Sequence, residues 1–567
     1  MRHTVNPRQG RLFDPFAEII PPLGRKRLEQ GWQTLFRQVL LALMPVAELG
    51  KHFDPTIGRP TKDLYAVAGL LFLKEMHSWS DEHALDAFLF RTDVQFALNM
   101  EPGIDQMCQR SLERYLKLFI EDELAAQVQD SLTAALIDKL DLAIDKQRLD
   151  STHVFSNMAN FGRTRLMGVA IKRFLTQVKR HHEADYDALA EDLRQRYAPS
   201  QGKLFASTGQ SPDERVKTRQ QVAEDLHALV ERFADHAGLC DRPSYRAMAT
   251  IFAEQCEVVE EKIEVREKTG GACMQNPSDP DATYDGHKGQ GYKVQLAETC
   301  SEENDVQLIV LAMPQTAASS DASAFPEVLA GLKEKGRLPE SMQADTAYGS
   351  DANVQMAAAE GVELVSPAAS TPEGAAPEVA TIPSREEASV NGNAPPLPPL
   401  PATVEPLTID DFAMDERTKK VTACPSGRIP LEATYDAQSG TTTIEMKASD
   451  CENCPFRKAC PMQKKPKGRY RLSYTDKQRR LDERRREEKT DAFKERYAKR
   501  AGIESTNSGL KRRLGLGKLR VRGRKAVYHA ILLKVAGWNL HQAVAALRKR
   551  AAKKAKLAAA ECQKVAA

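Results

Sequence analysis

The sequence contains few cysteines and no long run of uncharged apolar residues. Ten cysteines in 567 residues are too few for a disulfide-stabilised scaffold and are typical of a reducing compartment. Residues 1–7 lack the apolar segment of a signal peptide, and no stretch of about 18 residues is free of charge, as a membrane-spanning helix requires. We therefore expect a soluble, cytoplasmic protein without a membrane partner.

The net charge of +3 hides a strong asymmetry along the chain. Residues 451–567 contain 34 Lys and Arg against 10 Asp and Glu, whereas residues 1–450 contain 47 basic and 68 acidic residues. A basic C-terminal fifth indicates a polyanionic partner, because clustered Lys and Arg release counterions from nucleic-acid phosphates. A solvated, charge-rich helix is the alternative explanation.

Residues 1–142 have the apolar periodicity of helices. Ser80 is the predicted N-cap of one of these helices. Short helices joined by tight turns are typical of a helix-turn-helix unit that binds DNA. An ordinary helical bundle gives the same pattern, so both interpretations stay open.

The remaining sequence changes character several times. The predicted segments are a first core strand at 143–165, a helical insertion at 166–270, strands and a helix at 271–365, a Pro- and Ala-rich flexible linker at 366–408, a Cys-rich insertion at 409–470, and a basic helix with a C-terminal core helix at 471–567. We expect the helical insertion to be an antiparallel helical pair. The order of strands and helices favours a mixed α/β sheet.

The sharpest motif is a set of four residues near the C-terminus. Tyr497, Arg500, Glu504 and Lys511 have offsets of 0, 3, 7 and 14, which predicts that they share one face of a single helix. Glu504 could then bind a metal ion, while the two cations contact phosphates and the Tyr497 ring packs on a sugar or base. An exposed helix with an ordinary Arg500–Glu504 pair is the alternative.

With this signature, the sequence resembles the DDE transposases of bacterial insertion sequences, in the subgroup that carries a Tyr-Arg-Glu-Lys motif. Asp150-Ser151-Thr152 is similar to the family's first-aspartate strand. Asp345-Thr346-Ala347-Tyr348-Gly349 is similar to its second-aspartate strand and the following turn. The Gly58-Arg59-Pro60 segment looks like part of the family's leading domain.

The resemblance implies a ribonuclease-H-like α/β core in which Asp150, Asp345 and Glu504 converge as catalytic, metal-binding carboxylates. Such oxygen ligands suit Mg²⁺, with Mn²⁺ as an alternative, and two ions clamp the attacking and leaving oxygens of an in-line displacement. Asp145 and Asp351 are the alternative assignments for the two aspartates. The long spacings between the carboxylates are explained by the helical insertion and by the Pro-rich and Cys-rich insertion.

The resemblance also implies a reaction and its partners. The enzyme would hydrolyse a strand at the end of the element and then join the freed 3′-hydroxyl to target DNA. Its partners would be double-stranded DNA, as the terminal inverted repeats of the element and as the target, contacted by Tyr497, Arg500 and Lys511. A homo-oligomer is expected on DNA, because two element ends must be joined together.

A second set of residues comprises Cys424, Cys451, Cys454 and Cys460, in which the last three form a C-x2-C-x5-C-P run. Four thiolates could close a structural zinc site. An iron–sulfur cluster and simple burial of small apolar side chains are the alternatives.

Two rival functions have the same motifs. A non-catalytic DNA-binding relic would keep the basic region without assembling the metal centre. A nuclease that cuts but never joins would use the same two-metal chemistry.

Overall fold

The computed structural model describes residues 1–9, 13–103, 106–205, 211–368, 406–466 and 468–566, and it describes side chains as far as residue 560. The chain divides into two compact units. Unit 1 contains Met1–Pro339 and Ala501–Ala567, and unit 2 contains Glu340–Arg500. Most of the predicted linker at 366–408 lies outside the described residues, at 369–405.

Unit 1 begins with a helical region. Its α-helices are α1 (Pro22–Glu29), α2 (Trp32–Leu35), α3 (Val46–Gly50), α4 (Leu64–Met76), α5 (Asp81–Phe90), α6 (Thr92–Ala97), α7 (Gln109–Glu121) and α8 (Leu124–Leu140). The Asp63 side chain accepts a hydrogen bond from the Ala66 N–H and starts α4. The Ser80 hydroxyl accepts one from the His83 N–H and starts α5, which confirms the predicted N-cap.

Strand β1 (Lys146–Val154) is followed by the helical insertion. The insertion contains α9 (Arg163–His181), α10 (Glu183–Asp187), α11 (Glu191–Arg196), α12 (Pro212–Arg232), α13 (Pro243–Gln255) and the strands β2 (Cys256–Val259) and β3 (Lys262–Val265). Its helices share a core built on side chains such as Phe174, Phe233 and Met248.

The prediction of a simple helical pair was therefore wrong, because the insertion has more helices and a β-hairpin. Glu260 and Glu261 form the two-residue loop of that hairpin, and both have positive φ values, 47° and 65°. Such turns normally carry Asn and Gly, so the usual sequence signal for a hairpin is missing here.

The sheet of unit 1 contains β4 (Thr283–Asp285), β5 (Gly289–Thr299) and β6 (Ile309–Thr316) in addition to β1. Strand β5 pairs antiparallel with β1, with β6 and, at its first residues, with β4. Helix α14 (Asp321–Glu334) follows β6. Because β5 has partners on both edges, the β1–β5–β6 layer is a stable support for polar side chains.

Two further helices complete unit 1, α19 (Gly502–Arg513) and α20 (Arg524–Ala566). Helix α20 packs against α4, α8 and β6, and apolar residues of its N-terminal half, including Ile531, Val535 and Leu540, are buried. The Asn539 side chain both accepts from the Ile309 N–H and donates to the Ile309 carbonyl, at 3.0 and 2.7 Å. The expected C-terminal core helix is thus confirmed.

By length and composition, the segment Arg524–Ala560 of α20 could cross a membrane. However, 72% of its most apolar window is buried inside the protein. This degree of burial is typical of a helix in a protein core.

Unit 2 is a mixture of strands and helices. Its elements are β7 (Ser341–Ala344), α15 (Asp351–Ala359), β8 (Glu363–Val365), β9 (Ala413–Asp415), β10 (Lys420–Ala423), β11 (Glu432–Asp436), β12 (Thr441–Lys447), α16 (Ala448–Glu452), β13 (Gln463–Lys465), β14 (Arg469–Thr475), α17 (Asp476–Glu487) and α18 (Asp491–Ala498). Strands β7 and β8 are parallel and are connected by α15. Strands β11, β12, β14 and β13 form an antiparallel sheet in that order. The helix and strand content of both units fits the predicted α/β class.

Candidate active site

Asp150 lies on β1 in unit 1. Its backbone is in register with Leu296 of β5, which is paired in turn with Ala312 of β6. The Asp150 carboxylate accepts hydrogen bonds from the Ser151 N–H at 2.9 Å and from Nδ2 of Asn507 at 3.0 Å. Strand pairing on the backbone side and a helix residue on the carboxylate side hold this acid in one position.

Asn507 belongs to a row of polar residues on α19. Glu504, Asn507 and Lys511 are at positions i, i+3 and i+7, so they lie along one face of the helix. Ile503, Thr506 and Leu510 are buried beside this face. Glu504 is exposed and lies in the first turn of α19, where the helix dipole stabilises a carboxylate.

Lys511 is a partly buried cation of the same face. Burial lowers the pKa of Lys511, the nearby Lys288 lowers it further, and Asp150 raises it. Both effects disfavour the charged form of the Lys511 amine. A bound anion would stabilise that charged form and offset both effects. Lys511 is therefore well suited to contact an anion such as a phosphate.

A buried ion pair attaches α19 to the sheet. Glu298 of β5 is only 1% exposed; its carboxylate pairs with the Arg148 guanidinium at 2.6 Å and accepts from the Thr506 hydroxyl at 2.7 Å. Burial raises the pKa of Glu298, whereas Arg148 and Thr506 lower it. The three groups connect β1, β5 and α19.

Gly502 allows α19 to approach this ion pair. A Cβ atom at position 502 would collide with the Arg148 guanidinium. Because Arg148 is held by Glu298, the guanidinium is not free to move aside. The close contact between the start of α19 and β1 therefore requires glycine.

Asp345 lies in unit 2, directly after the buried strand β7. Its carboxylate accepts from the Thr346 N–H at 2.6 Å, and its backbone carbonyl accepts from the Ser366 hydroxyl at 2.8 Å. Nη2 of Arg500 lies 3.6 Å from Oδ2 of Asp345. The Asp345 side chain remains 45% exposed, so this fixed carboxylate is accessible to a ligand.

Asp351, the alternative to Asp345, has a different environment. Both of its carboxylate oxygens accept from the Arg480 guanidinium, at 3.0 and 2.7 Å. The hydrogen bonds from Arg480 hold the pKa of Asp351 below its usual range. Its two oxygens are thus occupied by a structural ion pair, which disfavours a role in metal binding.

The four residues of the Tyr-Arg-Glu-Lys motif do not share a single α-helix, so that prediction was wrong. Tyr497 is in α18, where its ring stacks on Phe493 with centroids 5.9 Å apart. Arg500 is in a 3-10 turn, Lys499–Ala501, and only Glu504 and Lys511 are in α19. Glycine has a low helix propensity, and Gly502 lies where the continuous helix is interrupted.

The four predicted zinc-binding cysteines lie together in unit 2. Cys424 follows β10, Cys451 is in α16, and Cys454 and Cys460 follow α16, and all four line one cavity of about 20 Å³. Burial raises the pKa of Cys451 to about 11, and the three neighbouring thiols add to the effect. A single small, mostly apolar cavity fits an ion better than an organic cofactor, and thiolates are good zinc ligands.

Several residues of this site had no sequence signal. Asn507, Glu298 and Arg148 are ordinary polar residues in the sequence, and their partners are distant in the chain. Only the i+3 spacing of Asn507 from Glu504 could have indicated that it shares the face of the predicted catalytic glutamate.

One comparison with known proteins gives a match, which covers part of the C-terminal region of the chain. Residues 423–544 match a protein-family model described as Transposase DDE domain. The matched region includes the four cysteines, Glu504, Asn507 and Lys511. No curated protein and no solved structure matches the chain. The family match supports a DDE transposase, and the family implies a ribonuclease-H-like catalytic core.

Proposed function

We propose that this protein cuts DNA at the ends of a bacterial insertion sequence and joins the freed 3′ ends to target DNA, with Asp150, Asp345 and Glu504 as metal ligands. One observation carries the proposal: α19, which lies within the region that matches the transposase family, contacts Asp150 through the polar row that contains Glu504. Carboxylates from a strand and a helix are thereby held on neighbouring elements of unit 1.

The ligand chemistry favours a hard divalent cation. The donors are carboxylate oxygens, which suit Mg²⁺, with Mn²⁺ as an alternative. Oδ1 of Asn507 is buried and has no hydrogen-bond partner among the described residues, which fits a place where a hydrated cation supplies the missing partner. Bound ions would polarise the scissile phosphate and activate the attacking hydroxyl.

Asp345 is proposed as the third ligand on the basis of its own surroundings. The end of β7 and the Thr346 N–H fix the carboxylate, and its exposure leaves it available. Arg500 would partly neutralise Asp345 before a cation binds and would contact a DNA phosphate afterwards. Of the two candidate aspartates, Asp345 is favoured because Asp351 is already paired with Arg480.

DNA contacts follow from the charges around the proposed site. Lys511, desolvated beside Asp150, would bind a backbone phosphate. Tyr497 would pack on a sugar or base. The helical region of residues 1–142 is proposed to bind the terminal inverted repeats, and a homo-oligomer is proposed on DNA so that two ends are joined in one assembly.

The cysteine cluster is proposed to bind a structural Zn²⁺. The four thiols line one cavity, and four thiolates are the ligand set of a closed zinc site. Burial raises the pKa values of Cys451 and Cys460, so these thiols would release protons on binding zinc. We further propose that the protein acts in the cytoplasm, where such thiols stay reduced.

Strand cleavage and joining of labelled terminal-repeat DNA would test the proposed function. Wild type should cut and join only with Mg²⁺ or Mn²⁺, and Asp150→Asn, Asp345→Asn and Glu504→Gln should each abolish both steps while DNA binding is retained. Asp145→Asn and Asp351→Asn serve as matched controls, because they neutralise the alternative acids.

Each unexpected result selects a different conclusion. Cleavage without joining, with paired ends present, would favour the nuclease. Binding without cleavage would favour the inactive relic. An active Glu504→Gln protein would refute the proposed ligand set.

A further inference from the structure

A compact group of metal-ligating side chains lies in the helical insertion of unit 1. His182, Asp185 and His236 each offer one ligand atom, and these atoms lie within 4.8 Å of one another. Among the residues that the structure describes, no other group of three or more His, Cys, Asp or Glu side chains meets this criterion. We propose that these three side chains bind one divalent transition-metal ion, with Zn²⁺ as the best-suited ion.

The distances fit a tetrahedral site. Nε2 of His236 lies 3.1 Å from Oδ2 of Asp185, and Nδ1 of His182 lies 3.8 Å from the same oxygen. Bonds of roughly 2.0–2.1 Å in a tetrahedral zinc site place neighbouring ligand atoms about 3.3–3.5 Å apart. Small side-chain rotations would bring both nitrogens and the oxygen to this separation.

The orientation of the two imidazole rings also fits. The rings of His182 and His236 are nearly perpendicular, at 88°, with centroids 5.0 Å apart. They therefore do not stack, and each can direct a nitrogen lone pair to a common point beside Asp185.

The ligand types separate this site from the proposed carboxylate site. Imidazole nitrogens bind Zn²⁺, Ni²⁺ and Cu²⁺ well and Mg²⁺ poorly, whereas oxygen-only sites prefer Mg²⁺ or Mn²⁺. A site with two histidines and one aspartate would thus bind zinc in the presence of excess magnesium. The two proposals rest on different residues and can fail independently.

The backbone holds the three ligands in place before any ion binds. His182 is at the junction of α9 and α10, and its carbonyl accepts from the N–H groups of Asp185 and Tyr186, both at 3.1 Å. The His236 carbonyl accepts from the Leu239 and Cys240 N–H groups at 3.1 and 3.2 Å. Ligands on two such turns lose little backbone freedom when a metal ion binds.

The three side chains are partly exposed, and Gly238 lies beside them. Gly238 has a φ of +86°, a conformation that favours glycine, and a Cβ atom there would make an ordinary 3.7 Å contact with Nε2 of His182. The side chains of His182, Asp185 and His236 are 28%, 41% and 24% exposed. An ion can therefore enter from solvent, and a fourth coordination position stays open to water.

Metal binding would cross-link two distant parts of the insertion. Asp185 and His236 are 51 residues apart in sequence, and the ion would connect the α9–α10 junction to the loop that follows α12. Phe233 of that loop packs against Phe174 of α9 in the core of the insertion, with centroids 5.1 Å apart. The ion would stabilise this packing from the surface.

The test is the zinc content of the full-length protein after equilibration with Zn²⁺ and excess Mg²⁺ and removal of unbound metal. Wild type should retain one more equivalent of zinc than His236→Gln. His227→Gln is the matched control, because His227 is a similarly half-exposed histidine of the insertion, paired with Glu231 at 4.0 Å. Any zinc on the cysteines contributes equally to all three proteins.

Replacing Zn²⁺ by Co²⁺ identifies the type of ligand that binds the metal equivalent lost in His236→Gln. The difference spectrum between wild type and His236→Gln should show d–d bands without the charge-transfer band of a thiolate. Asp185→Asn, a conservative change of a half-exposed side chain, should also lose this equivalent of zinc. It provides a second test in case His236→Gln does not fold. Equal zinc contents in wild type, His236→Gln and Asp185→Asn would overturn the proposal, as would loss of the same equivalent in His227→Gln.

Discussion

Nδ2 of Asn507 donates a hydrogen bond to Oδ2 of Asp150 over 3.0 Å, although the two residues are 357 positions apart in sequence. Asn507 also lies one helical turn after Glu504. The amide therefore connects the strand and the helix that carry two of the proposed metal ligands. Its role would be to position Asp150.

Asn507→Ala should lower single-turnover cleavage by roughly 10- to 100-fold, because a hydrogen bond to a charged group contributes about 1.5–3 kcal/mol. The apparent affinity for Mg²⁺ should fall as well, since Asp150 would no longer be held in place. Ser508→Ala, at the next position, is the control and should cleave at the wild-type rate. Equal activity of Asn507→Ala and wild type would show that Asp150 needs no positioning by α19.

Gly502→Ala should destabilise the protein, because its Cβ atom would displace the Arg148 guanidinium from Glu298. Overpacking of this kind lowers the free energy of unfolding by about 1–3 kcal/mol, measurable by chemical denaturation. Gly331→Ala is a matched helix glycine, since its Cβ atom would meet Leu311 at an ordinary 3.5 Å. That control should be neutral or slightly stabilising, and a similar result for Gly502→Ala would contradict the proposed close contact.

Asp351→Asn should change how stability depends on pH. Hydrogen bonds from Arg480 depress the pKa of Asp351 in the folded protein, so its contribution is present above the unfolded pKa near 4 and is lost as pH falls through the folded value. The variant should therefore unfold at a lower temperature at neutral pH and show a flatter decline below about pH 4. Thermal unfolding across this range measures both effects. In an Arg480→Gln background the same substitution should have little further effect.

Cys454→Ser should remove one equivalent of zinc from the cysteine site and lower the thermal unfolding midpoint. Zinc binding to wild type should release protons, because the pKa of Cys451 is about 11 in the metal-free protein and the bound thiol is deprotonated. Metal analysis and proton release in weakly buffered solution measure the two effects. Cys108→Ser, at an exposed cysteine, should leave both unchanged, and zinc-free wild type would refute the site.

Lys511→Ala should weaken DNA binding and lower the slope of log K against log salt by about one, because one phosphate contact and its released counterion are lost. Filter binding or fluorescence anisotropy at several salt concentrations gives the slope. Lys217→Ala removes an exposed cation of the helical insertion and should leave the slope unchanged. Equal effects of the two substitutions would show that the overall positive charge, and not a specific phosphate contact of Lys511, accounts for DNA binding.

Local patterns predicted those features that depend on neighbouring residues. The Ser80 hydroxyl caps α5 as expected, because an N-cap needs only a backbone N–H three residues later. The apolar stripe of α20, including Ile531 and Val535, correctly indicated a core helix. The spacing of apolar residues along the sequence is enough to predict such a helix.

Features that depend on distant residues could not be predicted in the same way. The Tyr497–Lys511 spacing suited one long α-helix, but a 3-10 turn at Lys499–Ala501 separates α18 from α19, which starts at Gly502. Nothing near Asn507 in sequence indicates Asp150 as its partner. The His182–Asp185–His236 group was missed because two turns that are far apart in sequence bring its members together.

The packing of α20 against α4 and α8 has a consequence for biosynthesis. The N-terminal helices leave the ribosome long before their packing partner at 524–566 has been translated, and the whole of unit 2 is made in the interval. At about 5–20 residues per second, this delay is on the order of 20–80 seconds. During this time the apolar faces of α4 and α8 lack the helix that covers them, so the nascent chain should depend on chaperones until its last helix docks.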